Sequence, residues 1–183
     1  MSDTEIIRYC SPTLAGLKTA SLFSTACSDY ERLRKQINRI NAKLSISGLR
    51  LIPLSFRNER VLIYIYRESA LARDILRSTS RQILEKLGYM PEDTFRSVCH
   101  LSRRIRENDI FPHEIGFFLG YPETDVISFM EGRRDYVCAG VWKAYSHPEE
   151  AKKTFSLYRK CTELYTKRLE NGEPIDRLIV KTN

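Results

Sequence analysis

The sequence predicts an α+β fold with a small, mainly antiparallel sheet that is covered by about six or seven helices. Long segments carry one apolar stripe at helical spacing, whereas residues 49–68 are apolar, β-branched and aromatic, as strands are. The clearest helical stripe, in residues 29–48, consists of Leu33, Ile37, Ile40 and Leu44. At 183 residues, the chain is expected to form a single domain, 1–183.

The N-terminal segments are predicted to form a strand and then two helices. The strand covers residues 5–9, and the helix after it begins with Ser11 as cap and Pro12 in its first turn. Ser28 or Asp29 caps the second helix. This order would place Cys10 at the end of a strand, directly before a helix start.

A β-hairpin is predicted next. Residues 49–56 and 60–68 are its two strands, and Arg57-Asn58-Glu59 joins them. Because Pro53 has no N–H to donate to a neighbouring strand, the first of these strands is expected at the edge of the sheet.

The second half of the chain is predicted to be mostly helical. Expected helices cover 69–87 and 93–107, and short ones start near Pro112 and Pro122. Residues 136–145 are predicted as the last strand of the sheet. The S-x-x-E pattern from Ser146 to Glu149 indicates a capping box that opens a long helix to about Leu169. The segment "IDRLIV" then forms a terminal strand or a packing arm.

Composition predicts a cytosolic protein. The start, "MSDTEIIRYC", lacks the basic and apolar regions of a signal peptide, and no apolar run reaches the ~20 residues of a membrane-spanning helix. The five cysteines are odd in number and widely spaced, which favours free thiols. Their spacing also gives no local metal motif, so no metal site is predicted. The sequence specifies no cofactor.

Three motifs in order resemble an uncharacterised bacterial family. They are "CSPTLAGLK" near the start, "FPHEIGFFLGYP" in the middle, and "CAGVWKAY" followed by a helix that contains Cys161. Together they are similar to the domain-of-unknown-function family 3793, over nearly the whole chain. The resemblance implies a small cytosolic protein from an anaerobic bacterial lineage and supplies no reaction. Ser128 departs from the glycine expected before Phe129 in this family.

The region around Cys10 is the first candidate site. A thiol next to a helix N-terminus would have a lowered pKa and could act as a nucleophile. The hydroxyls of Ser11 and Thr13 and the cation of Lys18 would then bind a phosphate or carboxylate. The alternative is structural: a packed cysteine, a capping serine and a solvated lysine.

The second candidate is the segment 111–122. His113 is an acid–base group that could serve the Cys10 thiol, and Glu114 is a ligand-binding candidate beside it. Gly116 and Gly120 share a helical face and indicate close packing. Lys143 is a third candidate, because it is a cation in the otherwise apolar row of the strand 136–145.

Two function classes fit these residues, and the sequence leaves open whether the protein is an enzyme. In the first, the protein binds a small anionic ligand, with Cys10 and His113 as catalytic candidates. In the second, a regulatory or adaptor protein binds an acidic partner through basic residues on one flank of the 29–48 helix: Arg32, Lys35, Arg39 and Lys43.

Other classes are disfavoured by missing patterns. The formal charge of +7 fits an anionic partner, but the aromatic residues fall on predicted core faces and no nucleic-acid module is present. Phosphate-loop, dinucleotide and serine-hydrolase signatures are absent. The His113-Glu114 pair begins like a zinc-protease motif, but Phe117 stands where the second histidine would be.

Overall fold

A three-stranded antiparallel sheet with helices on both faces forms the centre of the molecule, in a computed structural model that describes residues 1–108 and 110–181. The helices are α1 (Asp3–Leu14), α2 (Tyr30–Leu44), α3 (Glu68–Ile75), α4 (Ser78–Lys86), α5 (Thr94–Glu107), α6 (Ile115–Phe118), α7 (Glu123–Met130) and α8 (Pro148–Glu170). The strands are β1 (Ala20–Ala26), β2 (Leu49–Arg57), β3 (Arg60–Arg67), β4 (Cys138–Ala139) and β5 (Lys143–Ala144). The predicted α+β class is confirmed, with eight α-helices in the part of the chain described.

The middle strand, β3, divides the core into two apolar clusters. The sheet order is β1-β3-β2, so β3 is paired on both edges. Its odd-numbered residues, such as Ile63, pack with α1, α2 and α8, whereas Tyr64 and Tyr66 pack with α3, α5 and α6. This alternation follows from the two-residue period of a strand. The sheet is therefore buried on both faces.

The predicted hairpin is confirmed as β2 and β3. Asn58 and Glu59 both have positive φ angles, 50° and 56°, which is the geometry of a tight two-residue hairpin turn. The prediction that Pro53 lies on an edge strand is also confirmed, since β2 is the last strand of the sheet. The pairing register shifts between Pro53 and Ser55. A side chain covers the outer edge here: the Asn41 amide donates to Leu51 O and accepts from Leu51 N, at 2.7 and 2.8 Å.

The predicted N-terminal strand and helix start are wrong. Residues 5–9 lie inside α1, which begins with a capping box in which Ser2 and Glu5 exchange hydrogen bonds. Pro12 is in the last turn of α1 rather than the first turn of a new helix. The segment after it, predicted as helix, contains β1, which pairs with β3. The third strand of the sheet is thus β1.

The predicted helix over 69–87 is broken into α3 and α4. In an unbroken helix Ile75 and Leu84, nine residues apart, would point to opposite sides. The break at Leu76 and Arg77 lets both side chains enter the same core cluster. Gly88, with φ +83°, follows α4.

The strand predicted over 136–145 is not part of the main sheet. It forms a separate small hairpin of β4 and β5, in which Cys138 pairs with Ala144 and Ala139 with Lys143. The chain reverses at 140–142, so the expected strand faces do not exist. The predicted capping box at Ser146 is also wrong, because His147 is the N-cap residue of α8 and no side chain caps that helix.

The C-terminal segment packs against α1 as an arm. Arg67 is 2% exposed and donates hydrogen bonds to the carbonyls of Thr13, Leu14 and Val180, at 2.7, 2.6 and 2.8 Å. The Val180 N–H in turn donates to Leu14 O. The described residues contain no helix of the length and apolar character that crossing a membrane requires.

Candidate functional site

A hollow lies between α6, α7 and the β4–β5 hairpin, and we call it the aromatic hollow. Its volume is about 460 Å³, inside the range of about 300–1,000 Å³ typical of small-molecule sites. The side chains that define its character are Phe111, His113, Tyr121, Phe129, Trp142 and Lys143.

The buried carboxylate of Asp125 holds the hairpin over α7. Asp125 is 4% exposed, and its Oδ2 accepts a hydrogen bond from Trp142 Nε1 at 2.8 Å. Its Oδ1 accepts from the backbone N–H of Tyr145 at 2.8 Å. Buried carboxylates are costly unless their oxygens are hydrogen-bonded, and here each oxygen has a donor. Asp125 therefore fixes the position of Trp142 in the wall.

An aromatic stack extends from this wall towards α8. The Trp142 ring lies against Tyr121, with centroids 5.1 Å apart and planes at 30°. Trp142 also packs against Phe155 in a T-shaped arrangement, with centroids 4.5 Å apart and planes at 78°. Gly140 permits this packing, since a Cβ at that position would overlap the Phe155 ring. These preferred aromatic geometries make the wall rigid.

Two cation-forming side chains stand at the rim of the hollow. The His113 ring packs on Phe129 with centroids 4.7 Å apart, and Lys143 Nζ lies 5.4 Å from the same Phe129 ring. Lys143 also lies 5.2 Å from the Tyr136 ring. Within residues 1–108 and 110–181, the side chains of Lys143 and His113 have neither a hydrogen bond nor an ion pair. Lys143 thus presents positive charge beside an apolar, aromatic surface.

Of the sequence-predicted site residues, the structure brings His113 and Lys143 together in this hollow. Cys10 does not line it. Cys10 lies within α1, is 0% exposed and belongs to the core cluster on the other face of the sheet. The prediction that Cys10 lies at the end of a strand, before a helix start, is therefore wrong. Burial raises the pKa of the Cys10 thiol, which disfavours the nucleophilic thiolate.

The two predicted hydroxyl ligands make internal hydrogen bonds. The Ser11 hydroxyl donates to Ile7 O one turn earlier in α1. The Thr13 hydroxyl bonds the Ser21 hydroxyl at 2.8 Å, and both side chains are buried. A hydroxyl that already has a buried partner gains little by changing it. The Thr13–Ser21 bond joins α1 to β1, whereas the Ser11 bond stays within α1.

Lys18 lies outside the aromatic hollow but touches its wall. Its Nζ is 5.2 Å from the centroid of Tyr121, which lines the hollow. Burial lowers the pKa of Lys18 to about 8, and the nearby Cys10 thiol opposes that shift.

Glu114, the remaining candidate, binds side chains of the protein itself. It is 3% exposed, and its Oε1 accepts hydrogen bonds from Tyr89 Oη at 2.9 Å and Arg104 Nε at 2.6 Å. Arg104 is on α5 and Tyr89 precedes it, so Glu114 fastens the turn before α6 to α5. His113 next to it remains exposed at the hollow.

Sequence reasoning missed the residues that build the wall. Trp142 was expected in the core, and Asp125, Tyr121 and Phe129 were not singled out. One signal was present: Asp125 is an acid that directly precedes the mainly apolar run "VISFM". The partners of that acid lie 17 and 20 residues away, which no local spacing rule reveals.

The fold and the hollow define the class of protein: an α+β domain whose helices and small hairpin enclose a ligand-sized aromatic cleft with one lysine and one histidine at its rim. The chain belongs to the family described as protein of unknown function (DUF3793), whose model matches residues 6–179. The resemblance drawn from the three motifs is therefore confirmed. No curated protein and no solved structure matches the chain.

Proposed function

We propose that the aromatic hollow binds a small organic anion with a flat, apolar body. The observation that carries this proposal is that Lys143, whose side chain has no ion pair in the described part of the chain, lies beside an aromatic wall in a cavity of about 460 Å³. Apolar walls with a few placed polar groups are typical of small-molecule sites. The anionic group would meet Lys143, and the body of the ligand would lie against Trp142 and Phe129.

A ligand in the hollow would make two kinds of contact that differ in strength, one with Lys143 and one with the aromatic wall. Lys143 is exposed, so its ion pair with a carboxylate contributes about 1 kcal/mol or less in water. The larger contribution comes from apolar area removed from water, at about 25 cal/mol per Å². The wall therefore supplies most of the affinity, and Lys143 supplies the preference for anions.

The proposal concerns binding and contains no reaction. Cys10 is buried away from the hollow, and the roles predicted for Cys10 and His113 in catalysis stay predictions. His113 takes part here through its ring, which shares the Phe129 surface with Lys143.

Isothermal titration calorimetry with matched ligand pairs tests this proposal. The panel consists of one-, two- and three-ring aromatic carboxylates, each paired with its neutral amide. We expect saturable binding of at least one carboxylate. Lys143→Met should weaken it about three- to fivefold, equivalent to about 0.6–1 kcal/mol, and leave the amide unchanged.

Lys86→Met is the matched control, because Lys86 is an exposed lysine on α4 that neither lines the hollow nor belongs to the α2 flank. Its affinities should equal those of the wild type. Absence of binding across the whole panel, or equal losses for acid and amide in Lys143→Met, would contradict the proposal.

A second candidate function uses the basic flank of α2. Arg32, Lys35 and Arg39 are exposed, and in the described part of the chain none of the three has an ion pair, whereas Lys43 pairs with Asp176 at 3.0 Å. We propose as the alternative that this flank docks on an acidic protein surface. Binding of a poly-glutamate peptide at modest salt should be lost in an Arg32→Glu, Lys35→Glu, Arg39→Glu variant. It should persist when Arg103 and Arg106 are reversed instead, and equal effects of the two variants would count against α2.

A further inference from the structure

A second cavity adjoins the aromatic hollow, and we call it the side cavity. Its volume is about 480 Å³, close to that of the hollow. Phe111 and His113 line both cavities. Because these two side chains are exposed, the two openings lie side by side on one surface. The side cavity is otherwise apolar at Leu87, Ile110 and Met130 and polar at Arg104, Asn108 and Glu114.

Glu114 brings a buried carboxylate to the side cavity. It is 3% exposed, and its two hydrogen-bond donors reach the same oxygen. Tyr89 Oη and Arg104 Nε both donate to Oε1, at 2.9 and 2.6 Å. The other oxygen, Oε2, accepts no hydrogen bond from the described residues. Since each oxygen of a carboxylate can accept about two hydrogen bonds, Oε2 keeps its full capacity as an acceptor.

This oxygen is open to the side cavity rather than sealed in the core. In the described part of the chain, the buried side-chain N or O atom that lacks both a hydrogen bond and contact with solvent is His100 Nε2. Glu114 Oε2 also lacks a hydrogen bond, so it must keep contact with solvent. Glu114 lines the side cavity and not the aromatic hollow. The wall of the side cavity therefore carries an acceptor that still lacks a donor, whereas buried acceptors in proteins normally have one.

The negative charge of Glu114 is offset inside the protein. Arg104 Nε lies 2.6 Å from Oε1, so a guanidinium already pairs with this carboxylate. A ligand therefore does not have to supply a positive charge. What Oε2 lacks is a donor, and a donor to a carboxylate forms a stronger hydrogen bond than one between two neutral groups. Leu87, Ile110 and Met130 provide apolar surface for the group that carries the donor.

We propose that the side cavity is a second subsite of the aromatic hollow, which binds a neutral hydrogen-bond donor on an apolar arm of the same ligand. This inference rests on the proposed function, because the anionic group and the flat body of that ligand occupy the hollow. The arm passes Phe111 and His113, and its donor bonds Glu114 Oε2. The ligand class is thus an aromatic carboxylate with a donor-bearing arm. An arm without a donor would leave Oε2 desolvated and unpaired, which is unfavourable.

Calorimetry with ring isosteres on the arm tests the proposal. The parent compound is the aromatic carboxylate that binds most tightly to the wild-type protein, and it is extended by methylene arms of increasing length. Each arm ends either in a 2-pyrrolyl ring, which donates an N–H, or in a 2-furanyl ring of similar size, which has no donor. For at least one arm length we expect the pyrrole compound to bind about tenfold more tightly than the furan compound, equivalent to about 1.4 kcal/mol.

A ¹H–¹⁵N correlation spectrum of the wild-type protein locates the arm without any substitution. The parent carboxylate should shift the amides of residues in the hollow. The pyrrole compound should add shifts at the amides of Asn108, Ile110 and Glu114, which line the side cavity and not the hollow. This readout stands even where a substitution in the side cavity lowers stability.

Glu114→Gln changes the hydrogen bonding of the subsite. The glutamine amide keeps one acceptor oxygen for Tyr89 and Arg104 and places an NH₂ donor where Oε2 was. The preference for pyrrole over furan should therefore disappear. Glu107→Gln is the matched control, since Glu107 is an exposed acid on α5 that lines neither cavity. This control should keep the preference.

Failure of this inference can be told apart from failure of the proposed function. If no aromatic carboxylate binds, the proposal for the hollow fails and the subsite proposal fails with it. If the parent binds but the pyrrole and furan compounds bind equally at every arm length, the subsite proposal alone is overturned. Additional shifts that lie away from the side cavity, or a preference for pyrrole that survives in Glu114→Gln, would overturn it as well.

Discussion

At the scale of single residues, Asp125 is the side chain on which the aromatic hollow depends. It joins α7 to the small hairpin through Trp142 Nε1 and the Tyr145 N–H, and it is 4% exposed. The two N–H groups donate to the two oxygens of one carboxylate, so only a side chain with two acceptor oxygens satisfies both donors. A carboxamide of the same shape has one.

We expect Asp125→Asn to lower the free energy of unfolding by about 2 kcal/mol, because one of the two donors would face an NH₂ group. Trp142 is the only tryptophan of the chain, so its emission should also move to longer wavelength as its wall loosens. Urea unfolding followed by fluorescence measures both changes.

Asp135→Asn is the matched control, since Asp135 pairs with Arg133 at the surface. The control should change stability by less than about 1 kcal/mol and leave the emission unaltered. Equal effects of the two substitutions would show that Asp125 does not hold the hairpin.

At the scale of elements, the contact of α6 with α7 forms the back of the hollow. Gly116 faces Val126 so closely that a Cβ on Gly116 would lie 2.7 Å from Val126 Cγ2. Both residues are buried and both line the hollow. The close packing predicted from the glycine spacing is therefore found at Gly116, but the predicted shared helical face is wrong, because α6 ends at Phe118 and Gly120 lies beyond it with φ +72°.

We expect Gly116→Ala to destabilise the protein by about 1–3 kcal/mol through overpacking. Combining it with Val126→Ala should recover part of that loss, because the shortened side chain makes room for the new methyl group. A double-mutant cycle by urea unfolding should give a coupling of about 1 kcal/mol or more.

The comparison cycle pairs Gly116→Ala with Val61→Ala, a core residue on the other face of the sheet. Those two effects should add. Additivity in both cycles would mean that the methyl group added in Gly116→Ala does not destabilise the protein through the α6–α7 contact.

At the scale of the whole molecule, stability near neutral pH includes a cost from Lys18. Its folded pKa, about 8, lies below the value of an exposed lysine, so the unfolded chain binds the extra proton between these two values. Folding is therefore penalised fully below pH 8, and the penalty disappears as the pH rises towards the unfolded pKa of about 10.4. The buried Cys10 thiol acts in the opposite direction above pH ~8.5, because its pKa is raised.

We expect Lys18→Met to separate these contributions. The variant should exceed the wild type in unfolding free energy by an amount that is on the order of 1–3 kcal/mol larger at pH 7 than at pH 10.5. Urea unfolding at a series of pH values measures the difference. A pH-independent difference for Lys18→Met would mean that Lys18 is not desolvated.

The sequence predicted the parts of this molecule that local chemistry determines. The β2–β3 hairpin and the edge position of Pro53 follow from neighbouring residues, and the cap of α2, predicted at Ser28 or Asp29, is Asp29. It failed at α1, where Pro12 was taken for a helix start and lies in a last turn. Which turn of a helix holds a proline depends on where the chain packs, which is a tertiary property.

For the candidate site as well, some residues could be predicted from the sequence and others could not. His113 and Lys143 stand out in the sequence as polar residues in apolar segments, and both are at the hollow. Trp142 and Asp125 become a site only because the chain reverses at 140–142 and brings the hairpin onto α7. Cys10 was chosen for a helix N-terminus that does not exist at that position.

The indole N–H of Trp142 gives the most direct test of ligand binding in the hollow, because it produces one isolated signal in a ¹H–¹⁵N correlation spectrum. During titration with the aromatic carboxylates, this signal and the amides of Gly116, Val126 and Lys143 should shift along one saturation curve, while the amide of Cys10 stays in place. Shifts that centre on other surfaces, or a Trp142 signal that stays fixed while a carboxylate binds, would contradict the proposal that the aromatic hollow is the binding site.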